Sequence, residues 1–151
     1  MKMILMNIVK PQTVLLGAML AGSTLFNPSA QAVEKTEAKV EIPTTAEAIW
    51  QSIDKRTEEL ARVIETGKLD EVHHHAFAIR DLVAALPARS GALPADKLAK
   101  VKTNSQFVAT LAERLDASGD AKDKAGTESN FQKLQKVLKS IRENYSSSTR
   151  L

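Results

Sequence analysis

Apolar residues recur along this chain at three- and four-residue intervals in four runs, each bounded by residues that start or stop helices. In the first run, Ala46, Ile49, Ile53, Leu60 and Ile64 form a stripe that Trp50, Ala61 and Val63 widen, with Thr57 in the remaining place. Pro43 and Thr44-Thr45-Ala46-Glu47 precede it, a capping-box pattern in which Thr44 and Glu47 satisfy free backbone N–H groups. Gly67 follows the last turn and is expected to end the helix. The second run has Val72, Ala76, Ile79, Val83 and Leu86 on one face with Leu82 beside them. It starts at about Asp70, which is expected to cap it, and Pro87 stops it.

Residues 87–94 read as a loop by composition. The third run, from Ala95 or Asp96, places Leu98, Val101, Ser105, Val108, Ala112 and Leu115 on a heptad-like stripe with Leu111 adjoining. Ser118-Gly119-Asp120 reads as a turn. The fourth run carries Phe131, Leu134, Leu138, Ile141 and Tyr145, with Val137 beside them. Gly126 costs about 1 kcal/mol relative to Ala in a helix interior, so fraying or a kink before Thr127 is expected. Four amphipathic helices with short connections predict an all-α, antiparallel up-down-up-down four-helix bundle over residues 44–145. Trp50, Phe77, Phe107 and Phe131 supply one aromatic residue per helix and are expected to fill its core.

Outside these runs the pattern changes. Residues 33–43 are charged and irregular, and a lone alternation at Val40 and Ile42 has no partner strand, so a flexible arm is expected. Residues 146–151 are a mostly polar tail. Residues 1–32 read as an export signal. Lys2 and Lys10 give a positive start, residues 13–25 are apolar, Pro28 breaks the run, and Ala30-Gln31-Ala32 matches a signal-peptidase site. The apolar run is shorter than the roughly 20 residues a membrane-spanning helix needs. A periplasmic chain cleaved after Ala32 is the expectation, with no membrane span after cleavage.

Losing the leader alters the charge balance. The whole chain carries +3, but without Lys2 and Lys10 it holds 19 basic against 18 acidic residues. No basic excess remains to bring nucleic acid to the protein. Cysteine is absent, so core packing alone must hold the exported fold.

Leu60-Ala-Arg-Val-Ile-Glu65 and Arg142-Glu-Asn-Tyr145, with the helix order and loop placement, resemble the soluble periplasmic b-type cytochrome family. The likeness covers residues 44–145 and implies a haem-binding four-helix bundle in the periplasm. That family ligates iron with a methionine early in helix one and a histidine late in helix four. Here Met1, Met3, Met6 and Met19 all lie in the leader. The matching positions are Ile53 or Asp54 and Ser146, none of which replaces the lost ligands, and no cysteine allows a c-type attachment. Haem is therefore not expected, and Trp50 with Tyr145 is expected to fill the space a porphyrin would take.

The residues with the most chemistry are Asp70-Glu71-Val72-His73-His74-His75, which hold all three histidines of the chain. Neighbours on a helix point roughly 100° apart, so the triplet is not a chelate. Asp70 with His74 and Glu71 with His75 share a face at i,i+4, and Glu71 with His74 at i,i+3. His75 is expected at the edge of the apolar stripe beside Ile79 and Leu82, His74 outward, and His73 beside Phe77 and Arg80. An antiparallel bundle brings Glu65, Glu113, Asp116, Asp120 and Asp123 to the same end. Imidazole with carboxylate suits Cu²⁺, Zn²⁺ or Ni²⁺. The competing reading is a solvated surface group.

A second Glu-x-x-His motif is missing, which excludes a di-metal carboxylate bundle. No nucleophile elbow or phosphate-cradling glycine loop is present, so an enzyme is not expected. The functional expectation is a periplasmic bundle binding a transition metal through Asp70, Glu71, His73, His74 and His75, as an accessory or sensor in metal homeostasis. The alternative is a haem-free module that contacts another envelope protein. A third reading is a haem-binding electron carrier with unusual ligands.

Overall fold

A computed structural model of the chain describes residues 40–146. The leader pattern, residues 33–39 of the expected arm and residues 147–151 of the tail lie outside them. The described residues form four α-helices: α1 (Ala46–Glu65), α2 (Val72–Ala85), α3 (Ala95–Asp120) and α4 (Lys124–Ser146). Short 3-10 turns at Leu69–Glu71 and Pro87–Arg89 flank α2. No strand is present among the described residues, and none of their helices is long and apolar enough to cross a membrane. Successive helices pack against each other, and α1 meets α4 along a shorter seam. Cross-helix contacts set the directions as antiparallel: Val83 meets Ser105 and His73 meets Asp116 between α2 and α3, and Arg114 meets Asn130 and Asn104 meets Ser140 between α3 and α4. The fold is an all-α bundle.

The apolar stripes of the sequence become its core. Ile49, Ile53, Leu60, Val72, Ile79, Leu82, Val101, Leu115, Leu134 and Ile141 are fully or almost fully buried. Burying one such side chain stabilises by about 1.5–3 kcal/mol relative to leaving it exposed. Val40 and Ile42, in no strand, lie partly buried against this core. The aromatic expectation holds in part: Phe131 is buried and Trp50 and Phe77 pack at the core edge, but Phe107 is 56% exposed. Val108 and Leu111 take the inward places of that turn, and Phe107, roughly 100° around the helix from Val108, falls outside the buried stripe.

Helix ends differ from the sequence reading in four places. Thr45, not Thr44, caps α1, its hydroxyl accepting from the Ala48 N–H at 3.2 Å, so the Thr44/Glu47 box does not form. Asp70 does not cap α2; the chain enters it through a 3-10 turn that buries Leu69, and no side chain caps the first turn. Ser118-Gly119-Asp120 is helical, and the turn falls at 121–123, where Lys122 has φ 55°. Gly126 lies in the first turn of a continuous α4, and its N–H donates to Asp123 Oδ1 at 2.9 Å. A glycine there costs little, and a Cβ would run into the Asp123 carboxylate.

Gly119 has a separate role. A Cβ on it would stand 2.8 Å from the Leu69 carbonyl oxygen and 3.2 Å from Val72 Cβ. The missing side chain therefore lets the entry to α2 lie directly on α3. That close approach positions the histidines.

Candidate functional site

Two turns frame the histidine end, and both are Schellman motifs. After α1, Gly67 (φ 73°) donates to the Ile64 carbonyl at 3.1 Å and Lys68 to Val63 at 3.0 Å. After α3, Lys122 donates to Gly119 at 3.0 Å and Asp123 to Ser118 at 2.9 Å. Between these turns α2 begins, and its three histidines go to three different environments.

His73 is 7% exposed. Its Nδ1 lies 2.8 Å from Asp116 Oδ1 of α3. An ionised carboxylate only accepts, so Nδ1 carries the proton, and Nε2 is buried without a hydrogen-bond partner. The ring stands edge-on to Phe77, centroids 4.7 Å apart, and Arg80 lies 4.3 Å over the Phe77 ring. His73 thus ties α2 to α3 from inside the packing. His74 is exposed, its ring 5.5 Å from that of His73.

His75 faces α1. Its Nδ1 is 3.3 Å from Glu59 Oε2, close enough for an ion pair but not aligned for a hydrogen bond, so this buried atom has no hydrogen-bond partner. Burial lowers the His75 pKa below 6.5. The Glu59 and Glu71 carboxylates work against that shift, and Arg56 and His74 reinforce it. The imidazole is therefore neutral at neutral pH. His75, Glu59 and Glu71 line one open groove of about 290 Å³, together with Arg62, Val63, Thr66 and Lys68.

The pairs expected from sequence are not the ones formed. Glu71 bonds to Lys68 at 3.6 Å, and Asp70 to Lys122 at 3.3 Å. The Asp70 carboxyl is held below its usual range, first by its own backbone N–H and then by Lys122. The i,i+4 argument assumes an α-helix from Asp70 onward, and the 3-10 turn over 69–71 breaks that register. Of the acids placed at this end, Asp116 is joined to a histidine, whereas Asp123 caps α4. Glu59, at α1's inner edge, was missed. Its signal was an acid two turns before the helix end, facing the incoming helix. Among the described residues, no group of three or more His, Cys, Asp or Glu side chains is gathered closely enough to hold a metal ion as it stands.

At the opposite end, Trp50 and Tyr145 meet edge-on at 5.7 Å, and Arg142 lies 4.4 Å over the indole. Ser90 donates to the Leu86 carbonyl at 2.6 Å, so the Tyr145 hydroxyl, 2.7 Å away, donates to Ser90. Burial raises the Tyr145 pKa. Ile53 is buried and Asp54 is bonded to Arg142. These residues do not fit an iron-ligating pair. The molecule is thus an all-α bundle with a carboxylate–imidazole groove at one end. No family model, curated protein or solved structure matches the chain, so nothing there identifies a cytochrome family.

Proposed function

We propose that this chain is an exported helical bundle that binds a divalent transition metal ion in the α1–α2 groove, as an accessory or sensor in metal homeostasis. His75 and Glu59 are the first two ligands, and Glu71 is the third once it turns away from Lys68. The observation that carries this reading is the spacing of His75 Nδ1 and Glu59 Oε2, 3.3 Å apart with no aligned hydrogen bond between them. Two ligands at roughly 2.0–2.1 Å from a tetrahedral ion stand about 3.3 Å from each other. The neutral state of His75 leaves one ring-nitrogen lone pair for an ion, and imidazole with carboxylate suits Zn²⁺, Cu²⁺ or Ni²⁺. Export rests on the leader-like pattern of residues 1–32.

Calorimetry of tag-free protein with Zn²⁺, Cu²⁺ and Ni²⁺ tests it. A single sub-micromolar site, lost in His75→Ala and Glu59→Ala, is the expected result. Affinity no tighter than that of a free histidine-rich peptide removes the reading, as does binding that survives His75→Ala. A second reading, contact with another envelope protein, has the 56% exposed Phe107 on α3 in its favour. A photo-crosslinker at position 107 that captures one defined protein in cells supports it, and a diffuse background removes it.

A further inference from the structure

Both carboxylates of the proposed site are already held by cations of the chain itself. Arg56 Nη1 lies 3.0 Å from Glu59 Oε2, the same oxygen that stands 3.3 Å from His75 Nδ1. Lys68 Nζ lies 3.6 Å from Glu71 Oε1. Neither cation is placed by chance of a long side chain alone. Arg56 is one turn before Glu59 on α1, so the two share a face. Lys68 follows Gly67 in the Schellman turn, where its own N–H is bonded to the Val63 carbonyl. That bond fixes its Cα at the groove rim, three residues before Glu71.

We propose that Arg56 and Lys68 are built-in competitors of the metal ion, filling the charge of the groove when it is empty and releasing Glu59 and Glu71 when the ion enters. The inference rests on the metal-binding reading above and concerns how that site is regulated. Its physical basis is a simple exchange. Each carboxylate satisfied by a side-chain cation must give up that partner before it ligates, so the free energy of the ion pair is subtracted from that of metal binding. The pairs are solvent-accessible, with side-chain exposures of 41% and 30% for Arg56 and Glu59 and 62% and 46% for Lys68 and Glu71. Such pairs are weak, so the competition is modest and the site stays reversible. A groove built this way takes an ion and gives it up, as a carrier or sensor must, where a permanent structural metal site would dispense with the competitors. Binding also frees two positive side chains at the bundle end, which changes the surface a partner meets.

The test is Zn²⁺ titration of the full, tag-free protein and of Arg56→Gln, Lys68→Gln and the double variant, with folding followed by helical circular dichroism. Each single change is expected to tighten binding about two- to fivefold, and the pair about tenfold. Lys68→Arg keeps the charge and is expected to bind as the unaltered protein does. Arg62→Gln controls for bulk charge, since Arg62 lines the same groove but forms no ion pair with Glu59 or Glu71 among the described residues. Tightening by Arg62→Gln equal to that of the double variant overturns the inference. So does a double variant that binds no more tightly than the unaltered protein, and in that case the metal-binding reading stands. If neither binds Zn²⁺, both fall. If only the double variant binds, the unaltered protein releases neither carboxylate to an ion, and both the metal-binding reading and the inference fall.

Discussion

Trp50 and Tyr145 close one end of the bundle by ring contact, with Arg142 over the indole and the phenol tied to Ser90. At the other end, His73 joins α2 to α3 through Asp116, and His75 Nδ1 stands 3.3 Å from Glu59 of α1 without a hydrogen bond to it. The aromatic end gains from area removed from water and from a few oriented contacts. The histidine end spends its polar groups on pairs, and two of its imidazole nitrogens, His73 Nε2 and His75 Nδ1, remain buried without a hydrogen bond. An unpaired buried polar atom costs about 1–3 kcal/mol. The difference between the ends locates the chemistry: the aromatic end also leaves one polar atom unpaired, the Trp50 indole Nε1, but that N–H can only donate, whereas an imidazole nitrogen can ligate.

The sharpest way to break this comparison is at Gly119, where the histidine end depends on backbone contact. Gly119→Ala is expected to destabilise by about 2–3 kcal/mol, because the new Cβ meets a backbone oxygen that cannot rotate away. Urea unfolding measures it, and a loss under about 0.5 kcal/mol would show that α2 has room to shift. His73→Ala removes the bond to Asp116 and the packing on Phe77, an expected loss of about 2 kcal/mol. Tyr145→Phe keeps the ring and removes only the hydroxyl, leaving Ser90 bonded to Leu86; about 1 kcal/mol is expected. A larger loss at Tyr145 than at His73 would reverse the ranking of the two ends.

The next effect is smaller and depends on pH. The folded pKa of His75 is depressed, so the unfolded chain takes up the proton first as pH falls. The contribution of His75 is fully present above 6.5 and is lost as pH drops through its folded pKa. Thermal melts between about pH 5 and 7 are expected to show that slope and to show it flattened in His75→Gln. An unchanged slope would mean that another group titrates. Smallest of all is Phe107→Ser, expected within about 0.5 kcal/mol because the side chain is 56% exposed and leaves no cavity.

What could be read from the sequence followed from local physics. The four apolar stripes fixed where helices run and which residues enter the core, because a 3.6-residue period forces one face inward. His75 at the stripe edge and His74 outside it came from the same rule. Gly119 was not legible: with Ser118 and Asp120 beside it the composition reads as a turn, and its close approach to Leu69 and Val72 depends on how α2 packs on α3. Phe107 was misplaced because two apolar residues beside it competed for the same inward space.

Partner choice was not legible, and the reason is physical. A side chain pairs with whatever the fold brings within a few ångströms, and sequence spacing orders only the neighbours on its own helix. His73 reaches Asp116 across 43 positions. His75 finds Glu59 because α1 and α2 run antiparallel and the 3-10 turn over Leu69–Glu71 rotates Glu71 out of helical register. The sequence by itself determined four helices and most of their core; it did not place His73 inside the α2–α3 packing, and it put His75 at the stripe edge. Only the tertiary structure decided that this histidine meets a carboxylate from α1, because the burial of Leu69 against Gly119 sets how α2 begins.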